Sequence, residues 1–189
     1  MNIQLKNQRK SFQTLHKIYC WTAAIHKGYP LLEDDALKEK IIDVLDSLSA
    51  QKLVTIYGFV IMSNHIHVIW QQHAFYGKEM PFATFMKSTA RKLKKNIVQH
   101  GLESHFKVKV ANKKHQIWQR DAIAVELISK RAIHKSINKM HSNPVIEKGK
   151  LTDDDRSYYF SSARYYEIGS DDFGFINDIF TVSKAEGIC

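Results

Sequence analysis

The sequence predicts an α+β fold, an antiparallel sheet carrying helices on one face. Two observations predict it. The apolar period switches repeatedly between two and about 3.6 residues along the chain. Two β-rich apolar runs, residues 53–62 and 65–70, are separated only by Ser63-Asn64, which is the signature of a hairpin.

Each element follows in order. Residues 16–25, HKIYCWTAAI, are rich in aromatic and β-branched side chains and read as the first strand. Gly28 and Pro30 then break the chain. A helix follows over about 33–50, where Leu37, Ile41, Ile42, Leu45 and Leu48 form one apolar stripe. Glu33, Asp34 and Asp35 sit at its start, where the helix dipole favours negative charge. After the hairpin, Pro81 opens a second helix at a position where its missing N–H costs nothing. That helix runs to about His100, and Gly101 stops it. A short run around 115–118 reads as a strand. A third helix covers about 129–141 and stops before Asn143-Pro144. The order β-α-β-β-α-β-α contains that of a ferredoxin-like sheet. A single domain is expected over 1–189, with a core at about 16–145 and a C-terminal helical extension at about 146–189.

The 189 residues are 44% hydrophobic and 25% charged, the composition of a soluble globular chain. No apolar run approaches the roughly 20 residues that span a bilayer. The polar, basic residues 1–11 do not resemble a signal peptide. Cys20 and Cys189, far apart, suit neither a disulfide framework nor a zinc ribbon, so a reducing cytoplasm is the expected compartment.

The net charge of +9 is unevenly spread. Residues 1–151 hold 25 basic and 11 acidic residues, whereas 152–189 hold 3 and 8. A body this basic points to a polyanion, although charge alone fits a merely soluble basic protein equally well. Residues 87–114 hold nine basic residues and one acid, Glu103. On the second helix Phe82, Phe85, Thr89, Leu93 and Ile97 occupy one arc, and Lys87, Arg91, Lys92, Lys94 and Lys95 lie on the arc beside it, with Lys87, Arg91, Lys94 and Lys95 the candidates for phosphate contact. Basic side chains along one face match phosphates along a nucleic-acid backbone, and an arginine can grip one phosphate with two hydrogen bonds. A solvated helix face is the alternative.

The most informative residues are Asn64-His65-Ile66-His67-Val68. Side chains alternate along a strand, so His65 and His67 share a face, about 7 Å apart at Cα. Two imidazoles so placed can converge on one metal ion. Taken alone, His-x-His more often means histidines that face solvent or are satisfied by hydrogen bonds. A third ligand must in any case come from elsewhere.

Three further pieces follow: Trp118-Gln119-Arg120, His141-Ser142-Asn143-Pro144-Val145 and Tyr159-Phe160-Ser161-Ser162-Ala163. With the histidine pair, in this order, they resemble the REP-associated branch of the single-strand His-hydrophobic-His tyrosine transposases, over about residues 16–166. The resemblance implies a ferredoxin-like fold, commonly dimeric, that cuts single-stranded DNA beside a hairpin. It implies that His65, His67 and a third ligand hold Mg²⁺ or Mn²⁺, and that a tyrosine attacks the phosphodiester and joins the 5′ phosphate. Glu126 follows Trp118-Gln119 at about the distance of the family's helical ligand, and capping the third helix is its other reading. Arg120 joins the DNA-binding candidates.

The sequence departs from this pattern at the nucleophile. Residues 121–127, DAIAVEL, hold no tyrosine, and none occurs between Tyr76 and Tyr158. Tyr165, then Tyr158, are the remaining candidates. Two readings follow: a metal-dependent protein that nicks hairpin DNA, or a DNA-binding module of transposase descent that does not cut. A small metal-dependent hydrolase built on His65 and His67 ranks below both.

Overall fold

The structure is a computed structural model and describes residues 12–110, 113–146 and 151–181. Cys189 and residues 1–11 lie outside the described residues.

Strand β1 (Ile18–Ala24) leads through two short 3-10 turns into α1 (Asp35–Ala50). Asp34 caps this helix, its carboxylate accepting from the Ala36 N–H at 2.9 Å. Strands β2 (Val54–Ile61) and β3 (His65–Gln72) form the expected hairpin, and α2 (Pro81–Gln99) follows. A short helix α3 (Glu103–Phe106) and a small ribbon of β4 (Lys107–Val110) and β5 (Lys113–His115) come next. Then come β6 (Ile123–Glu126), α4 (Lys130–Ile146) and α5 (Ala163–Ile168). The sheet order is β2-β3-β1-β6, antiparallel throughout, which is the ferredoxin-like arrangement.

The fourth strand of the sheet is β6, not residues 115–118. That earlier stretch is buried for a different reason. The Trp118 indole N–H donates to Thr89 Oγ1 at 2.9 Å, which anchors the segment to α2. Trp118 itself makes only an isolated bridge to Ile25.

The two faces of the sheet differ. On one face Trp21 stacks on Trp70 and meets Phe85 of α2 edge-on, with ring centroids 5.1 and 5.5 Å apart. α1 and α2 pack here. α4 packs on the other face, where Gly58 lets it approach closely. A Cβ on Gly58 would lie 2.8 Å from Met140 Cε, 3.1 Å from Ser162 Oγ and 3.2 Å from Ile137 Cδ1. α4 also runs on past Asn143 to Ile146, so Pro144 falls inside it rather than beyond its end. Pro144 stands in the last turn, so the hydrogen bond lost to its missing N–H is one near a helix end.

The extension is tied to the outer edge of β2. Ile61 N–H donates to the Phe160 carbonyl and Asn177 N–H to the Ile56 carbonyl, both at 2.9 Å. The joint between α4 and the extension is a hydroxyl. Ser162 Oγ meets His141 Nε2 at 2.8 Å, accepts from Phe59 N–H at 3.0 Å and donates to the Phe59 carbonyl at 3.2 Å. His141-Ser142-Asn143-Pro144 and Ser161-Ser162-Ala163 are thus two halves of one clip. At the opposite edge β6 pairs only with β1 among the described residues, and its Ile123 and Val125 are exposed.

Candidate nucleic-acid interface

The strand register places the histidine pair. His67 lies opposite Thr22 and His65 opposite Ala24, so both point to the face on which α4 packs. Their rings are 4.9 Å apart. Each Nδ1 is engaged: His67 Nδ1 meets Thr22 Oγ1 at 2.6 Å, and His65 Nδ1 meets Asn64 Oδ1 at 2.7 Å. Asn64 Nδ2 donates to the Gly28 carbonyl at 3.3 Å, which turns Oδ1 toward His65. His65 Nδ1 is therefore the donor of its pair. Such contacts fix the tautomer and orientation of an imidazole. Burial first, then the charges of His65 and Lys139, lower the His67 pKa to about 4, so this imidazole is neutral at pH 7.

Glu126 does not join the pair. It lies on strand β6 rather than at a helix start. There it stands opposite Tyr19, on the Trp21 side of the sheet. Its carboxylate accepts from Lys17 Nζ at 2.7 Å. No group of three or more His, Cys, Asp or Glu able to hold a metal occurs among the described residues. The charge of Lys139 of α4 bears on His67 and on Cys20. Two imidazoles without a described carboxylate do not fit Mg²⁺ or Mn²⁺, which favour oxygen ligands.

The tyrosines divide. Tyr158 donates to the Ile61 carbonyl and Tyr166 to the Tyr57 carbonyl, both at 2.6 Å, and burial raises the pKa of each. A nucleophilic phenol needs the opposite shift. Tyr165 is more open and makes no hydrogen bond through its hydroxyl among the described residues. Its pKa is also raised, by burial and by the charges of Asp178 and Asp171.

The basic helix forms one wall of an open groove of about 760 Å³. Lys87, Arg91 and Lys94 line it from α2, and Lys114, Trp118 and Arg120 line the other side. Five basic side chains and no acid line it. Lys87 is paired with Glu79 of the preceding loop. Lys95 is exposed but does not line the groove, and Lys92 faces α1, pairing with Asp43 at 2.9 Å. Helical period alone predicted the α2 wall. Lys114, His115 and Gln119 were not predicted, because only the fold of the 113–120 segment brings them there. The groove and the histidine pair lie on opposite faces of the sheet, linked along its edge: Gln119 N–H donates to the Ala24 carbonyl at 2.8 Å, and Ala24 stands opposite His65 on the next strand. Within the sheet, two strand spacings, about 10 Å, separate the Gln119 backbone from that of His65.

A scan against family models finds no match, and a search of curated proteins finds none. Among the solved structures that are similar, two are transposases. One is a REP-associated tyrosine transposase bound to a REP hairpin, 15% identical, with a TM-score of 0.59 over 92% of this chain and 93% of that one. Another is a candidate transposase from Deinococcus radiodurans R1, 18% identical, with a TM-score of 0.41 over 70% of this chain and 98% of that one. At these identities the likeness speaks to architecture: along almost its whole length, this chain has the fold of a REP-associated tyrosine transposase.

Proposed function

We propose that the protein is a transposase-like module that binds single-stranded or hairpin DNA along the groove between α2 and residues 114–120. One observation carries this reading: five basic side chains line the groove and no acid does. Phosphates supply most of the affinity in such a contact. The hairpin bound by the transposase of the same fold makes hairpin DNA the first ligand to test.

The binding reading is preferred to nicking. Tyr158 and Tyr166 have their hydroxyls committed to carbonyls, and Glu126 faces away from the histidines. Nicking would fall to Tyr165 with Mg²⁺ or Mn²⁺ at His65 and His67. Both readings are tested by incubating the protein with labelled hairpin and single-stranded oligonucleotides and Mn²⁺. Anisotropy then reads binding, and denaturing electrophoresis reads covalent adducts. The expected result is salt-sensitive binding without an adduct. An adduct that disappears in Tyr165→Phe establishes nicking instead, and no binding at 50 mM salt overturns both.

A homodimer is part of this proposal. The open edge of β6, with Ile123 and Val125 exposed, can pair with its own copy across a two-fold axis. Light scattering at micromolar concentration should give twice the chain mass. A monomer there removes the dimer.

A further inference from the structure

The connection between β3 and α2 carries two open aromatic rings, Phe75 and Tyr76, each 54% exposed. The turn that holds them is closed by a reciprocal pair of backbone bonds. Tyr76 N–H donates to the Glu79 carbonyl at 2.8 Å, and Glu79 N–H donates to the Tyr76 carbonyl at 3.1 Å. Gly77, at φ +64°, makes the reversal. The Glu79 carboxylate is paired with Lys87, which lines the α2 groove, so the turn is tied to one end of the groove wall.

Tyr76 also forms one side of a pocket of about 240 Å³ between α1 and α2. The buried Val44 and Leu48 give it an apolar side, and Asp43 and Ser88 line it with polar groups. Lys92 Nζ holds the Asp43 carboxylate at 2.9 Å. The Ser88 and Tyr76 hydroxyls make no hydrogen bond among the described residues. Drug-sized ligands fill roughly 300–1,000 Å³, so this smaller space suits one ring system. Ser88 and Lys92 follow Lys87 and Arg91 by one residue, about 100° round α2, so the pocket and the groove lie on neighbouring shoulders of one helix. Lys95, exposed and outside the groove, lies on the ridge between them.

We propose that this pocket takes one unpaired base of the DNA whose backbone lies in the α2 groove, stacked on Tyr76 and read at its edge by Asp43 and Ser88. The proposal rests on that DNA reading and adds a part of the ligand that leaves the groove. A phenol ring stacks on the π-face of any base. A carboxylate accepts hydrogen bonds and donates none, so Asp43 selects an exocyclic amino group, which adenine, cytosine and guanine carry and thymine lacks. A base inside a duplex is stacked and paired, so the pocket takes an unpaired nucleotide at the least cost. Lys95 then stands where the phosphate of the crossing nucleotide passes.

The test is anisotropy of the full chain with a blunt hairpin and with the same hairpin carrying unpaired flanks at both ends of its stem. The flanks are of mixed sequence, all thymine, or abasic. Mixed flanks should tighten binding about tenfold over the blunt hairpin, and abasic flanks should not. Tyr76→Ala should lose that tenfold with the salt slope unchanged, because no phosphate contact is removed, and Tyr76→Phe should keep it. Matching thermal unfolding of the variants establishes that the fold is kept. All-thymine flanks should bind at least threefold more weakly than mixed ones. The proposal is overturned by abasic flanks bound as tightly as intact ones, by unchanged affinity in Tyr76→Ala, or by all-thymine flanks bound as tightly as mixed ones. If no hairpin binds, the DNA reading falls and the pocket assignment with it. If the blunt hairpin binds and flanks add nothing, the groove stands and only the pocket assignment falls.

Discussion

Replacing Arg91, Lys94 and Arg120 together by alanine should weaken hairpin binding roughly 100-fold near 0.1 M salt and lower the slope of log K against log salt by about two to three. These three side chains line the groove from both walls. None of them makes an ion pair among the described residues, so their charges are available to phosphates. Each phosphate contact releases a counterion, which contributes about 0.7 to the slope on a single strand and 0.9 on duplex. The single changes should each remove about one such contact. Lys92→Ala is the contrast. It also removes a charge from α2, but Lys92 faces α1 and pairs with Asp43. Its slope should match that of the unaltered protein. If the triple variant keeps the full slope, the groove does not hold the backbone, and α2 is a solvated face.

How far the sequence announces this architecture depends on the element. α1, the hairpin and α2 follow from period, caps and the Ser63-Asn64 break, and the structure places them within about two residues of expectation. Their apolar residues face a core, so pattern and burial agree. β6 defeats the same logic. It has four residues, and its larger apolar side chains, Ile123 and Val125, are exposed while Ala124 is half-buried. The stretch 115–118 mimics a strand because Ile117 and Trp118 are buried, yet what buries Trp118 is Thr89 of α2, 29 residues away in sequence. Pro144 reads as a helix stop because local rules treat it so, whereas α4 runs two residues past it, where only one hydrogen bond near a helix end is lost. At the site, strand alternation alone was enough to put His65 and His67 on one face. Glu126 could not be placed without the identity of the fourth strand, since a shift of one residue moves a side chain to the other face.

Acid should unfold this protein between about pH 6.5 and 4, and His141 should be a principal cause. His141 is buried beneath α5, its Nε2 on Ser162 Oγ and its ring 5.5 Å from that of Tyr166. Burial alone lowers its pKa to about 4, and His67, lowered first by burial, stands at about the same value. The sign follows directly. An unfolded histidine takes its proton near pH 6.5, and the folded one does not until about pH 4. In that window the unfolded state binds more protons, so stability falls as pH falls. The contribution is complete above the unfolded value and is lost as pH drops through the folded one. Each histidine gives a loss on the order of 3 kcal/mol, and the pair together a loss comparable to the total stability of a small domain, about 5–15 kcal/mol. Urea unfolding in phosphate-free buffer at pH 7, 5.5 and 4.5 measures it. The midpoint should fall steeply over that range. His141→Gln keeps a side chain able to reach Ser162 and removes the titrating group. It should cost about 1–2 kcal/mol at pH 7, because the replacement fits the clip less well. In exchange its stability should decline less steeply with acid, by the share of one proton, about 1.4 kcal/mol per pH unit at most. A variant with the same acid slope as the unaltered protein would mean that His141 titrates normally, and that the joint between α4 and the extension is open to water.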